Sequence, residues 1–489
     1  MTLTGAVERT PAATPERLNA TYLAQWVATQ AARYRVPGVQ FAVAVDDEVV
    51  LDGAWGVTDL TSGTPLRPDH LFRVASHSKT FTATAVARLV DAGSLRWDDP
   101  IGTYVPELDR TGVGEVTVRE ALGHTGGLLR DGRDADFWQL GLPFPDRAAL
   151  LDAVLTGGEV LGRGEAFKYS NLAYGLLGLV VEAVTGERFA DHVHRELLAP
   201  LGLDDTFGEL DDEIVRRAVV GHSAPAPAAP GLPVVFADGR LPVAATTTGA
   251  LAAATGFCST ARDLVRWAMA HCDGSTLLRP ETRRLLQREE SAFERPHAPR
   301  RAYGLGFELR DLDGRRLVGH SGGFPGQITR TWFDPTARVA VSVLTNAIDG
   351  PADAIATGLF ALVAAALGAD AASGTDTGAD GTGDDARLAD LDRWTGRFAN
   401  LWGSTDVVRL GHDLWLIDPR RADPFDGAER LRVDGDVLRP ETHAGFGPVG
   451  EPVHVLRDGD GTPSGVVVGG VTSWPADEFE RQRQASTRR

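Results

Sequence analysis

A stretch that is poor in core-forming side chains divides this chain. Residues 371–387 read AASGTDTGADGTGDDAR and contain almost nothing that could enter a hydrophobic core. Such a segment cannot bury enough apolar surface to offset the entropy of folding, so it predicts a flexible linker. A length of 489 residues also exceeds what one core usually organises. We expect an N-terminal tail at 1–16, a first domain at 17–369, a linker at 370–388 and a second domain at 389–489.

The order of apolar patterns predicts an α+β first domain. A helical spacing in PERLNATYLAQWVATQAARY precedes two strand patterns, VQFAVAV and EVVLDGAWG, which are joined through Asp46 and Asp47. Helical patterns then dominate, and strand patterns return only from residue 303. This order predicts one antiparallel sheet flanked by helices and assembled from both ends of the domain, with a helical subdomain inserted between its halves. The short runs of the second domain, such as TDVVRL and DLWLID, indicate a small all-β sandwich or barrel.

Composition narrows the range of partners. The 67 acidic residues outnumber the 49 basic ones, and the formal net charge of -18 argues against nucleic acid or an anionic membrane as a partner. No stretch approaches the roughly 18 apolar residues of a spanning helix, and the start resembles no export signal, so we expect a cytoplasmic protein.

Neither a metal nor a cofactor is expected. Cys258 and Cys272 fit no metal spacing and are interpreted as buried thiols. His192 and His194 lie two residues apart, which on a helix points them to different faces, so we interpret them as surface histidines. No phosphate-binding glycine loop and no dinucleotide fingerprint is present.

Lysine is rare enough to be informative here. Of the 49 basic residues only Lys79 and Lys168 are lysines. Lys79 follows Ser76 by three positions in ASHSKTFTA, which puts hydroxyl and amine on one face of a helix about one turn apart. An arginine keeps its proton, whereas a buried lysine can lose one and act as a base. A chance pairing is the alternative, because a lysine has a serine three positions earlier about one time in 20.

Two further segments carry side chains suited to chemistry. Tyr169 and Asn171, in KYSN, stand where a turn leads into an apolar helix, so both could be presented to a site. The alternative is a plain N-terminal cap, with Ser170 or Asn171 satisfying free N–H groups. At VGHSGGFPG a strand pattern ends in His320, followed by Ser321, Gly322 and Gly323. Glycines there let a ligand approach the backbone, as an oxyanion hole requires, although a plain hairpin turn would look the same.

Together, SxxK at Ser76, YxN at Tyr169 and HxG at His320 resemble the three motifs of the penicillin-recognising serine hydrolases. This superfamily includes serine β-lactamases, D,D-peptidases, esterases and D-aminopeptidases. The segment TVREALGHTGGL, beginning at Thr117, is similar to a further loop of the family, and the likeness extends over residues 17 to 368. The resemblance implies the β-lactamase-like fold.

The resemblance also implies a role for each motif residue. Ser76 would attack a carbonyl, while Lys79 and Tyr169 would move its proton and later protonate the leaving group. The backbone N–H groups of Ser76 and Gly323 would form the oxyanion hole. Substrate would be held by three residues, Asn171, Ser321 and Gly322. His320 would complete the catalytic set, in the place where many relatives have lysine.

The histidine favours neutral acyl donors over a free carboxylate, because at its usual pKa of about 6.5 it is largely uncharged. Within the superfamily the layout most resembles the penicillin-binding-protein-type thioesterases of nonribosomal peptide pathways, which add a small lipocalin-like β domain. That resemblance implies a peptidyl thioester substrate, delivered by a peptidyl carrier protein of a nonribosomal peptide synthetase, with a D-residue at the acyl end and release as a head-to-tail macrolactam. The alternatives are a D-aminopeptidase or esterase that releases by hydrolysis, and an inactive binding module. We expect Arg330, or arginines of the second domain, to touch the substrate.

Overall fold

The computed structural model describes residues 18–132, 134–140, 142–224, 239–293, 300–372, 382–400, 403–441, 451–468, 471–479 and 481. These residues form two compact units, one within 35–356 and the other from residues up to 34 together with those from 357 onward. The predicted tail at 1–16 lies outside the described residues, as do 373–381 of the predicted linker.

The helices follow the sequence patterns closely. They are α1 Ala20–Arg33, α2 Ser78–Asp91, α3 Val118–Leu122, α4 Arg147–Leu155, α5 Asn171–Thr185, α6 Phe189–Val193, α7 Asp212–Arg217, α8 Ala252–Thr255, α9 Ala261–Met269, α10 Pro280–Leu286, α11 Ala352–Ala372 and α12 Thr382–Asp392. Helix α12 therefore begins inside the segment predicted as linker. Among the described residues, none of these helices is both long and apolar enough to cross a bilayer.

The strands of the first unit are β1 Gly38–Val45, β2 Glu48–Gly56, β3 Phe72–Arg73, β4 Gly221–His222, β5 Pro242–Val243, β6 Cys258–Ser259, β7 Ser291–Phe293, β8 Arg301–Tyr303, β9 Glu308–Leu312, β10 Arg315–Phe324, β11 Gln327–Asp334 and β12 Val339–Thr345. Eight of them form one antiparallel sheet in the order β2-β1-β12-β11-β10-β9-β8-β7. Asp46 and Asp47 make the β1–β2 turn with φ of 48° and 73°. Because β1 pairs with β12, the predicted assembly of the sheet from both ends of the domain is confirmed.

Helix α2 is the buried axis of this unit. Every residue from Ser78 to Ala87 is buried, in a run made largely of alanine and threonine. Small side chains let neighbouring elements approach from all sides, and the threonine hydroxyls bond internally: that of Thr84 donates to Thr80 O at 2.7 Å, and that of Thr82 donates to Ala253 O at 2.6 Å. The start of α2, which carries the SxxK motif, is thereby held rigidly.

The second unit has its own β structure. Its strands are β13 Gly396–Asn400, β14 Gly403–Leu410, β15 Asp413–Ile417, β16 Glu429–Asp434, β17 Val437–Pro440, β18 His454–Arg457, β19 Pro463–Val468 and β20 Val471–Pro475. They form an eight-stranded sheet in the order β17-β16-β15-β14-β13-β20-β19-β18. A bridge between Leu438 and Val453 brings its two ends together, so the sheet nearly closes into a barrel around a small apolar core. A separate all-β domain is confirmed.

Helix α1 belongs to this second unit, which differs from the predicted boundary at residue 17. The Gln30 side-chain amide donates to Pro419 O at 2.6 Å and to Arg421 O at 3.0 Å, and the Asn19 amide donates to Arg409 O at 3.0 Å. Apolar periodicity alone did not show which sheet the helix would pack against.

The predictions for cysteine and histidine had mixed outcomes. Cys258 and Cys272 are free and buried, as expected. His194 is exposed, but the surface prediction is wrong for His192, which is buried and lies 3.6 Å from Glu187. Within the described ranges, no group of three His, Cys, Asp or Glu side chains is placed to hold a metal ion.

Candidate active site

Ser76 stands on a sharp turn between strand β3 and helix α2. Ala75, just before it, has a φ of 46°, in the left-handed region that non-glycine residues rarely adopt. Ser76 is partly exposed, whereas its neighbours on both sides are buried. His77 holds the turn from behind, with Nδ1 3.0 Å from Val74 O and Nε2 2.9 Å from Thr331 Oγ1. Burial lowers the pKa of His77 to about 3, so it is a neutral packing residue that faces the sheet.

Lys79 lies one helical turn beyond Ser76 and is fully buried. Its Nζ is 3.1 Å from Ser76 Oγ, 2.7 Å from Asn171 Oδ1 and 2.9 Å from Ala254 O. Burial lowers the pKa of Lys79 well below its usual value, and this outweighs the opposing effect of the Asp131 charge. A neutral amine gives its two N–H bonds to the two carbonyl oxygens, which leaves its lone pair facing the serine hydroxyl. The arrangement suits a general base.

Tyr169 approaches Ser76 from a different segment. Its hydroxyl donates to Ser76 Oγ at 2.8 Å, and burial raises its pKa above the usual value, so the phenol keeps its proton. The ring lies against His124, with 4.3 Å between the ring centroids, and His124 Nδ1 accepts the Ser170 N–H at 3.1 Å. Ser170 caps α5 by accepting the Ala173 N–H at 3.0 Å. The capping interpretation is therefore correct for Ser170, and the same cap presents Tyr169.

The Asn171 side-chain amide lies between the Lys79 amine and the Asp131 carboxylate. Its Oδ1 accepts from Lys79, and its Nδ2 donates to Asp131 Oδ1 at 2.6 Å. Asp131 is also paired with Arg130 at 2.9 Å, and only 10% of its side chain is exposed. Because a carboxylate can only accept, it fixes which end of the amide faces the lysine. Nothing in the sequence indicated Asp131, since its spacing from the three motifs carries no signal and only the folded loop brings it to Asn171.

His320 lies beside this group but directs its ring nitrogens elsewhere. Nδ1 is 2.7 Å from Ser321 O, and a carbonyl can only accept, so Nδ1 carries the proton. The Tyr303 hydroxyl then donates to Nε2 at 2.9 Å. Burial lowers the pKa of His320 to about 4, partly offset by the Glu308 charge. The expected neutral imidazole is present, but both its nitrogens are used within the protein, which fits a positioning role better than proton transfer.

Among the described residues, no strand pairs with the β9 side of β10 beyond residue 319, because β9 begins at Glu308, the partner of Gly319. At this edge the Ser321 N–H donates to Glu308 Oε1 at 3.2 Å, and the Ser321 hydroxyl donates to the same atom at 2.5 Å. Two residues further along is Gly323, which is exposed. In an extended strand the N–H groups of residues two apart point to the same edge. The Gly323 N–H therefore points to the open edge, as the predicted oxyanion hole requires.

Two residues expected to hold substrate have other contacts in the structure. A Cβ on Gly322 would clash with Val74 O and Thr329 Oγ1, so this glycine lets β10 pack against the Ser76 turn. The Ser321 hydroxyl is committed to Glu308.

Arg330 was expected to contact substrate, but its side chain is buried against other groups of the protein. It is 4% exposed and is held by Glu308 at 2.6 Å and by Asp353 at 2.9 Å, with its guanidinium 4.5 Å from the Trp332 ring centre. These contacts sequester its charge from a substrate. The expectation for Arg330 rested on charge alone, and sequence gave no sign of the two acidic partners.

Comparison with known proteins shows the family of this chain. Penicillin-binding protein 4 of Amycolatopsis lactamdurans is 29% identical over 348 residues, covering 67% of this chain and 84% of the relative. The D-amino acid amidase of Ochrobactrum anthropi SV3 superimposes with a TM-score of 0.58 at 26% identity, covering 73% of this chain and 99% of the amidase.

SurE, which has also been solved with D-Leu, superimposes with a TM-score of 0.59 at 23% identity, covering 94% of this chain and 100% of SurE. At that identity the likeness shows the fold alone. The family model described as Beta-lactamase matches residues 23–366. Since this match spans most of the chain and contains the whole Ser76–Lys79–Tyr169 cluster, the chain belongs to the β-lactamase family of the penicillin-binding-protein-like serine hydrolases.

Proposed function

We propose that this protein is a stand-alone thioesterase that transfers a nonribosomal peptidyl chain from a carrier-protein thioester to Ser76 and releases it as a head-to-tail macrolactam. A D-residue at the acyl end and action in the cytoplasm are parts of the same proposal. The observation that carries it is the convergence on Ser76 Oγ of a buried amine at 3.1 Å and a phenol at 2.8 Å. An inactive binding module would have no use for a nucleophile held between a base and an acid.

Acylation follows from the protonation states. Lys79 takes the proton of Ser76 as Oγ attacks the thioester carbonyl, and the resulting oxyanion is stabilised by the N–H groups of Ser76 and Gly323. Each such donor is worth about 2.7 to 4 kcal/mol at the transition state. The C–S bond then breaks, and the Lys79 proton reaches the sulfur through the Tyr169 hydroxyl, so the thiol leaves neutral. A tyrosine with a raised pKa suits this relay because it loses its proton only while gaining another.

Release by an amine repeats these steps in reverse order. The N-terminal amine of the bound peptide attacks the Ser76 ester, and one amine proton passes to Lys79. As the ester C–O bond breaks, Ser76 Oγ recovers that proton and the cyclic amide leaves. Two features support a peptide substrate: the neutral His320, which does not attract a carboxylate, and the presence of a second all-β unit.

A direct test uses peptidyl thioesters that differ only in a D- or L-residue at the acyl end. Product mass distinguishes a peptide that has lost only the thiol from one that has also gained water. We expect cyclic product from the D-ended peptide, and linear acid as the sole product would contradict the proposal. Ser76→Ala should abolish both products, whereas Ser94→Ala, the same change at an exposed site, should leave them unchanged.

The second candidate is release by hydrolysis, as a D-stereospecific aminopeptidase, a related peptidase or an esterase. The likeness to a D-amino acid amidase at 26% identity favours it. Both candidates share the Ser76 ester and differ only in whether an amine or water attacks it. Incubation with a D-amino acid amide would identify this second activity by the free D-amino acid that forms. Only attack of water on the Ser76 ester gives that product, whereas ammonia leaves during acylation in either case.

A further inference from the structure

Glu308 is a charged side chain at the open edge of β10 for which the acylation chemistry has no use. Its side chain is 19% exposed, and its neighbours hold its pKa well below the usual value although burial acts in the opposite direction. The Arg330 charge and the hydrogen bonds from Arg330 and Ser321 lower this pKa, so the carboxylate is ionised near neutral pH. Glu308 thus places a partly exposed negative charge beside the neutral His320 ring.

The strand geometry places this carboxylate at the same strand edge as the Gly323 N–H, the expected oxyanion donor. Glu308 Oε1 binds the Ser321 N–H, and the Gly323 N–H opens to the same edge two residues later, roughly 6.6 Å along the strand at about 3.3 Å per residue. The Glu308 charge also raises the pKa of both Lys79 and Tyr169, as a nearby anion should.

The charges facing Glu308 leave it able to attract a cation. Arg330 binds its Oε2 at 2.6 Å but is itself shared with Asp353 at 2.9 Å, so the Arg330 charge is divided between two carboxylates. Arg310 lies 3.6 Å from Asp353 and pairs with that carboxylate, not with Glu308. His320 Nδ1 lies 3.6 Å away and is neutral near pH 7. An ionised carboxylate has about four acceptor positions, and Ser321 and Arg330 occupy three of them.

We infer that Glu308 selects the second substrate of the reaction, binding an incoming primary amine in its ammonium form beside the Ser76 ester and excluding a carboxylate from the same place. This inference rests on the proposed function, because it concerns the step in which an amine replaces the thiol. The ammonium group loses one proton to water and attacks as the free amine. Its next proton passes to Lys79 and then to Ser76 Oγ as the ester bond breaks. A carboxylate beside the acceptor position thereby favours aminolysis over hydrolysis.

The test separates acylation from acceptor choice. An N-acetylated peptidyl thioester cannot cyclise, so it loads Ser76 and the ester then divides between water and an added amine. The acceptors are an amino acid amide, which is a cation, and the same amino acid with a free carboxylate. For the wild type we expect the amide to be preferred. For Glu308→Gln we expect the ratio of aminolysis product to hydrolysis product with the amide acceptor to fall about tenfold. The preference for the amide over the free amino acid should become smaller. The rate of acylation should change less than about threefold.

Two variants distinguish selection from loss of structure. Ser321→Ala removes a partner of Glu308 but keeps its charge, so it should retain the preference for the cationic acceptor. Glu107→Gln removes an exposed carboxylate that is paired with Arg147 and should behave as wild type. An unchanged product ratio in Glu308→Gln would overturn the inference alone. A wild-type enzyme that acylates but yields only acid with every amine would overturn both the inference and the proposed cyclisation.

Discussion

The Asp131 carboxylate gives the sharpest test of how the site is organised. It accepts the Asn171 amide N–H at 2.6 Å, while the other end of that amide contacts Lys79 at 2.7 Å. In Asp131→Ala the amide loses the partner that fixes its orientation, and it is free to turn an N–H toward the lysine. A hydrogen bond to a charged group is worth about 1.5 to 3 kcal/mol. If the transition state depends on that orientation, kcat/KM falls about 10- to 100-fold, at 1.36 kcal/mol per factor of ten.

Asp131→Asn separates orientation from charge. The new amide oxygen still accepts from Asn171, so the plateau of kcat/KM should recover most of the loss. The anion that raises the pKa of Lys79 is gone, however, so this pKa falls further. Because the reaction needs neutral Lys79, activity is lost on the acid side of that pKa, and the acid limb of the pH profile should move to lower pH.

The assay is the pH dependence of kcat/KM for a neutral thioester, followed by thiol release. Asp152→Ala, at an exposed carboxylate on α4, serves as the matched control and should leave the profile unchanged. Asp131→Ala with kcat/KM within twofold of wild type would refute the orienting role. An acid limb that moves to higher pH in Asp131→Asn would refute the electrostatic part.

Three further predictions concern the supporting residues. Gly322→Ala should lower the free energy of unfolding by about 1 to 3 kcal/mol in chemical denaturation, because its Cβ would clash with Val74 O. Gly323→Ala meets only Ile328 Cδ1 at 3.5 Å, so it should unfold like wild type but lose kcat/KM as the methyl crowds the substrate. His320 has a folded pKa of about 4, so the unfolded chain binds more protons below about pH 6.5 and stability should fall between pH 6.5 and 4; a flat profile of unfolding midpoints there would contradict its burial as a neutral ring.

Much of the fold could be predicted because local patterns decide it. Strand β2 coincides with EVVLDGAWG, and its turn residues Asp46 and Asp47 adopt the positive φ values that a tight hairpin requires. Helix α5 begins at Asn171 behind a serine cap, as KYSNLAYG indicates. These features depend on neighbours in sequence. The grouping of α1 with the second unit depends on contacts such as Gln30 to Pro419, 389 residues apart, and no local pattern carries that information.

The candidate site also combines residues that local sequence could predict with residues that only the fold reveals. Ser76 lies in a short 3-10 turn that leads directly into α2, and Lys79 lies in the first turn of α2, so their meeting follows from a spacing of three residues. Spacing could not identify Asp131 or Glu308. A folded loop brings Asp131 to Asn171, and the start of strand β9 brings Glu308 to Ser321. The side chain of His320 was expected to face the substrate, yet Tyr303 and the Ser321 carbonyl hold both of its nitrogens. Motifs identified the groups that react, and the fold was needed to find the groups that orient them.

The presence of a lysine at position 79, in a chain whose basic residues are nearly all arginine, has a physical explanation. An arginine there would stay protonated and would present up to five N–H donors, with no lone pair to receive the Ser76 proton. Three oxygens lie 2.7 to 3.1 Å from Lys79 Nζ, and two of them are carbonyl oxygens, which can only accept a hydrogen bond. A neutral amine satisfies all three contacts at once, giving two hydrogens and receiving one. Burial lowers the pKa of Lys79 and so favours that neutral form, which means that the same packing that buries α2 also favours the base.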